Sequence, residues 1–208
     1  MFIKSYEDWR KHIGHVGNIK DPSWSEEDYA DFEWKETYMI DEIPHNDNWN
    51  TFATQHKLDS EQLYREWGII KENTKHYMCI RPELPDNLKT MLVEYHNRSH
   101  NYNFLKLTPG NQIVWHFDTF ATFVKFNNIK QEQIKDVCRT VVMLTDWDRG
   151  QMLQVGNEVY THWSKGDTYT WKSDVWHGMC NFGPSDCTIA QITFLDEANQ
   201  FQQGYNEL

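Results

Sequence analysis

The residues of this chain best suited to chemistry are His116, Asp118 and His177. His116-Phe117-Asp118 closes the apolar run Gln112-Ile113-Val114-Trp115, and His177 falls in Val175-Trp176-His177-Gly178. Two imidazoles and a carboxylate can grip one face of a six-coordinate divalent ion, and the donor set suits iron(II). The opposite face then stays open to ligands. A His-x-Asp pair alone is common by chance. On a strand, however, residues two apart share a face, so His116 and Asp118 would point the same way. His177, at the start of a later strand, would close the triangle.

Those elements are readable after residue 100, where short runs of β-branched and aromatic residues alternate with turn signals. Eight strands are predicted: Asn103–Leu107, Gln112–Phe117, Cys138–Thr145, Gln151–Val155, Glu158–Trp163, Asp167–Trp171, His177–Phe182 and Cys187–Leu195. Pro109-Gly110, Asp148-Arg149-Gly150, Gly156-Asn157, Lys165-Gly166 and Gly183-Pro184 punctuate them. Eight short strands with tight turns suggest a two-sheet jelly-roll barrel, in which the second strand can lie beside the seventh. Thr119–Val137, with Lys125, Lys130 and Lys135, reads as an insertion.

Residues 1–100 read differently. Leu63, Trp67 and Ile70 recur at helical spacing behind Asp59-Ser60-Glu61-Gln62, a capping-box-like start. Leu88, Met91, Leu92 and Tyr95 repeat the pattern after Pro85-Asp86. Gly14 to Asn50 shows no period. The expectation is one domain, 1–208: a helical and irregular support over 1–100, then a β core over 101–196 interrupted at 119–137. The fold class is mainly β with helical support.

Composition narrows the function. The chain of 208 residues can bury a sizeable core. Its net charge of −11, without a Lys/Arg cluster, argues against nucleic acid as principal partner. No apolar stretch approaches the length that spans a bilayer, and Met1-Phe2-Ile3-Lys4 lacks a signal-peptide layout. Cys79, Cys138, Cys180 and Cys187 form no Cys-x-x-Cys pair and read as free thiols, so the expected location is cytoplasmic. His96 and His100 have the spacing of helical zinc ligands, but Asn97-Arg98-Ser99 between them lacks a metalloprotease glutamate, and a helix end explains them. His12 and His15 likewise read as a surface helix end, and His45, His56, His76 and His162 show no metal-like spacing.

His116-Phe117-Asp118, Arg139 to Trp147, Trp163-Ser164-Lys165-Gly166-Asp167 and Trp176 to Gly183 together resemble the iron(II) and 2-oxoglutarate dependent dioxygenase superfamily. The likeness spans roughly the last hundred residues, with features of its prolyl-hydroxylase and aspartyl/asparaginyl-hydroxylase branches. It implies a double-stranded β-helix, iron(II) on His116, Asp118 and His177, and 2-oxoglutarate and dioxygen as co-substrates. The reaction implied is hydroxylation of an aliphatic carbon in an amino-acid, peptidyl or small-metabolite substrate. Asp118, where a small residue would admit halide, favours hydroxylation or desaturation over halogenation.

One feature departs from that pattern. Many members carry a cation on the last strand for the far carboxylate of 2-oxoglutarate, whereas Cys187-Thr188-Ile189-Ala190-Gln191-Ile192-Thr193-Phe194 has none. Burying a dicarboxylate without a counter-charge is costly. Arg139, at the head of the strand after the insertion, is the expected substitute, with Lys125 and Lys106 behind it. Asn181 shares a face with His177 and Met179 and is expected to line the pocket. The alternatives are a cupin-type metalloenzyme without 2-oxoglutarate, such as an isomerase or ring-cleaving dioxygenase, and a barrel that binds without turnover. A nucleic-acid demethylase is disfavoured by the charge.

Overall fold

The computed structural model describes residues 13–39, 62 and 64–196. Among them are eleven strands: β1 Ile13–Asn18, β2 Lys35–Tyr38, β3 Lys75–Ile80, β4 His100–Leu107, β5 Asn111–His116, β6 Val137–Met143, β7 Gln151–Val155, β8 Glu158–Tyr160, β9 Asp167–Lys172, β10 His177–Asn181 and β11 Cys187–Leu195. Short α-helices accompany them, among them α1 Glu27–Ala30, α2 Asp86–Lys89 and α3 Ala121–Phe126, and residues 64–66 are also helical.

The strands form two antiparallel sheets, ordered β1-β9-β6-β11-β4-β3-β2 and β5-β10-β7-β8. From β4 to β11 the chain passes back and forth between them, giving β9-β6-β11-β4 facing β5-β10-β7-β8. This is the strand order of a double-stranded β-helix. β5 and β10, second and seventh of the eight, are hydrogen-bonded neighbours, which brings the two histidine-bearing stretches together.

The support region departs from expectation. Residues before 100 add β1 beside β9 and β3 and β2 beside β4, so they extend the larger sheet as well as cover it. The helical positions Leu88, Met91, Leu92 and Tyr95 are all buried, on α2 and the 3₁₀ turn Thr90–Tyr95. The pattern Leu63, Trp67, Ile70 does not make a core-facing helix through residue 70. Trp67 and Ile70 are 49% and 54% exposed, and Ile70 is extended before the 3₁₀ turn Lys71–Thr74. His12, His45, His56, Asp59 to Glu61 and Leu63 lie outside the described residues.

The larger sheet separates two cores. Its outer face presents Phe104, Cys138, Val142, Ala190, Ile192 and Phe194 to Trp24, Tyr29, Leu84 and the α2 residues. Its inner face presents Leu105, Leu107, Val141, Met143, Tyr169, Trp171 and Ile189 to Ile113, Leu153, Val155 and Met179 of the smaller sheet. Strand alternation assigns each side chain to one core or the other. At the closed end a turn glycine is required: Gly150 has φ +90°, and a Cβ there would stand 2.7 Å from Gly183 N and the Phe182 carbonyl carbon.

Residues of the runs Arg139 to Trp147 and Trp163 to Asp167 serve as joints here. Asp146 accepts a hydrogen bond from Lys165 N (2.8 Å), and Trp147 N donates to Trp163 O (3.0 Å). The insertion folds as α3 and the 3₁₀ turn Gln131–Asp136, anchored by Phe120 and Phe123 against Val137 and Leu195.

Candidate metal centre

His116 ends β5 and His177 begins β10, and the two are direct cross-strand partners. The register slips between His177 and Met179, so three steps along β5 match two along β10. That bulge brings His116 level with His177, a use of bulges common beside functional sites. Gly178 sits at the slip. A Cβ there would lie 3.0 Å from Ile113 O and 3.3 Å from Trp115 N, so the Trp-His-Gly sequence lets the two backbones approach.

The imidazoles lie with ring centroids 4.3 Å apart, and Trp171 packs its ring 4.5 Å from that of His177. Each histidine is pinned by the carbonyl two residues before it: His116 Nδ1 to Val114 O at 2.7 Å, His177 Nδ1 to Val175 O at 3.0 Å. A carbonyl only accepts, so each Nδ1 carries the hydrogen and each Nε2 keeps its lone pair. Burial, with His177 adding to it, pushes the His116 pKa down to about 3. Burial likewise lowers that of His177, against the pull of Asp118. Both rings are therefore neutral at physiological pH, the form that binds metals.

Asp118 completes the group. Its Oδ2 lies 3.6 Å from His177 Nε2, and one donor atom from each of the three residues falls within 4.8 Å of the others. These residues fit a metal ion. Two pre-set imidazole lone pairs and a carboxylate oxygen converge, and the carbonyls behind the rings supply the outer hydrogen bonds that metal-bound histidines require.

Arg139 stands behind Asp118. Its Nη2 donates to Asp118 Oδ1 at 3.2 Å and its Nη1 to Gln191 Oε1 at 3.0 Å, while the guanidinium lies over the Phe120 ring at 5.3 Å. Phe120 adopts φ +48°, a conformation costly for an aromatic residue, at the N-terminus of α3.

The group lines a cavity of ≈ 190 Å³ with Asn103, Thr119, Trp171, Met179 and Gln191 on its walls. Among the described residues, Asp118 and Arg139 are the charged side chains lining it. A more open groove of ≈ 410 Å³ adjoins, sharing Asn103, Asp118, Thr119 and Arg139 and bordered by Ile80, Phe123 and Phe126.

The structure thus brings His116, Asp118, His177 and Arg139 to one cavity. Asn181 stays apart from it. Its amide donates to Leu107 O (2.7 Å) and Ser185 O (2.8 Å), and its Oδ1 accepts from Gly183 N. It shares the face of His177 but stands at the other end of β10, so the expectation that it lines the pocket is corrected. Lys106 points outward over Trp34 at 4.8 Å, and Lys125 is exposed on α3; neither lines the cavity. Sequence reading missed Asn103, Trp171 and Gln191. Gln191 was legible by alternation with Ile189 and Thr193, but a search for a cation passes over it.

Fold and site together define a double-stranded β-helix with a candidate metal centre at one end of the barrel. No protein-family model matches the sequence, and no curated protein matches it. Solved structures similar in part include a predicted oxalate decarboxylase from Thermotoga maritima, 14% identical over 58% of this chain and 81% of that one, with TM-score 0.38. KdgF from Halomonas sp. is 10% identical over 60% and 82%, with TM-score 0.37. The cupin domain of Cnp3 from Schizosaccharomyces pombe is 8% identical over 62% and 71%, with TM-score 0.38. At these values the fold assignment rests on the strand order itself. Among the described residues no helix is long and apolar enough to cross a membrane.

Proposed function

We propose that this protein is an iron(II) and 2-oxoglutarate dependent oxygenase that hydroxylates an aliphatic carbon of a small-molecule or peptidyl substrate. The observation that supports this most is the convergence of His116 Nε2, His177 Nε2 and Asp118 in a cavity whose protein charges cancel. With Arg139 balancing Asp118, a divalent ion there would leave two positive charges to be met by its ligands. A 2-oxo dicarboxylate meets them. Loaded with iron(II), the centre would supply coupled oxidation, in which dioxygen converts 2-oxoglutarate to succinate and carbon dioxide and places its other oxygen in a C–H bond.

The chain's own residues do the rest. His116 and His177 are held in one tautomer, so binding requires no proton shuffle. Arg139 fixes Asp118 through Oδ1 and leaves Oδ2 toward His177. Trp171, Met179 and Ile113 wall the cavity with apolar surface and limit water. The adjoining groove, bordered by Ile80 and Phe126, each 68% exposed, gives the substrate its approach. The cavity itself is below the roughly 300–1,000 Å³ of drug-sized pockets, so it suits a short co-substrate with only the reacting end of a larger molecule.

One observation favours a second reading. Arg139 is committed to Asp118 and Gln191, so no uncommitted cation lines the cavity among the described residues. A cupin-type metalloenzyme that does not use 2-oxoglutarate would need none. Anaerobic addition of iron(II) and 2-oxoglutarate separates the two. The first reading expects a weak visible charge-transfer band and, on admitting oxygen, succinate; neither appears under the second. A cytoplasmic location belongs to the same proposal, and fractionation of the source cells tests it.

A further inference from the structure

β11 is buried at eight of its nine positions, and the exception is Gln191. It lies between β6 and β4 and points inward, so its accessible surface is the cavity wall. Arg139 is the one position of β6 that is not fully buried, and it lines the same cavity. Gln191 Oε1 accepts from Arg139 Nη1 (3.0 Å) and from its cross-strand partner Asn103 Nδ2 (3.2 Å). A guanidinium only donates, so the amide oxygen must face Arg139. The Gln191 NH₂ group is thereby turned the other way, and no acceptor meets it among the described residues. A carboxylate oxygen is the partner that would satisfy these donors. Their acidity is increased by the cation bound to the same amide.

We infer that Gln191 binds the far carboxylate of the 2-oxo diacid directly, and that Arg139 is a positioning residue acting through it. This rests on the reading of the site as a 2-oxoglutarate centre. The last strand then needs no cation, because a neutral donor with an arginine behind it takes that place. The arrangement selects for an acceptor at the far end of the ligand and against a donor.

The test compares 2-oxoglutarate with 2-oxoglutaramate, its terminal amide, by anaerobic titration of the iron(II)-loaded protein, with the charge-transfer band and calorimetry as readouts. Wild type is expected to bind the diacid about tenfold more tightly than the amide. Gln191→Glu keeps an oxygen toward Arg139 but turns an acceptor toward the ligand, so the preference should invert. Gln191→Ala should lose about tenfold for the diacid and most of the discrimination. Arg139→Lys, which keeps a charge but loses the fork, should narrow the ratio between the ligands without inverting it. Near-UV circular dichroism checks that each variant is folded. If the variants bind both ligands in the wild-type order and ratio, this inference is overturned while the 2-oxoglutarate reading stands. If wild type binds neither keto acid, both fall.

Discussion

The two faces of β11 carry opposite chemistry. Outward, Ala190, Ile192 and Phe194 are fully buried beneath the helical layer. Inward, Ile189 gives way to Gln191 and Thr193, and at the same end β4 contributes Asn103 and β6 Arg139. An apolar inner face would pack better, since buried polar groups must be satisfied to avoid a penalty. The outer face therefore secures the fold, and one end of the inner face gives up packing to line a cavity with polar side chains. The difference teaches that a site can be located by where the apolar alternation of a barrel fails.

Substitutions on the two faces should separate cleanly. The largest effect is expected on the inner side, where His116→Ala or Asp118→Ala should abolish metal binding and succinate formation. Calorimetry with iron(II) or cobalt(II) and mass detection of succinate measure both, and unimpaired turnover in either variant would refute the ligand assignment. Phe194→Ala, on the outer side, should cost about 3–5 kcal/mol of stability by leaving a cavity beside Tyr95, in denaturant titration. Its metal affinity should match wild type in whatever fraction folds. Were Phe194→Ala to weaken metal binding at constant folded fraction, the two faces would be coupled and the division would fail.

The same contrast governs pH. His116 is neutral when folded, with its pKa held near 3, but takes up a proton below about 6.5 once unfolded. Between those values the unfolded chain binds more protons, so the stability of the metal-free protein rises with pH. It should be fully present above about 6.5 and decline as the pH falls toward 3. Denaturation midpoints at pH 5 and 7.5 should differ less in His116→Gln than in wild type. An equal difference would mean that His116 is protonated when folded.

The eight core strands were legible because alternation and turn signals such as Pro109-Gly110 and Gly183-Pro184 are local. The three added strands were not. β2, Lys35-Glu36-Thr37-Tyr38, is a charged edge strand, the composition that protects edges and also reads as loop. In β3, Lys75, Tyr77 and Met78 are half-buried and His76 is buried, which blurs the alternation. The convergence of His116, Asp118 and His177 was legible as types and spacing. Asn181 and Gln191 show the limit: alternation tells which face a side chain takes but not its height along the barrel. That height depends on the register β11 makes with β4 and β6, a long-range pairing that no local pattern records.

The smallest effect tests whether the outer face is purely apolar in its energetics. One polar seam crosses it: Tyr95 Oη donates to Thr140 Oγ1 at 3.1 Å, and Thr140 Oγ1 is 2.7 Å from Thr170 Oγ1. Burial pushes the Tyr95 phenol up to about 12, so it stays protonated and donating. Tyr95→Phe removes the donor but leaves Thr140 its contact with Thr170, so the loss should be only about 0.5–1.5 kcal/mol. Thr140→Val strands the buried Tyr95 hydroxyl and should cost more than Tyr95→Phe, about 1–3 kcal/mol. Thermal melts of the two variants and their double mutant decide the matter. If Tyr95→Phe is the more damaging, the hydroxyl has a role beyond this bond, and the outer face holds more than packing.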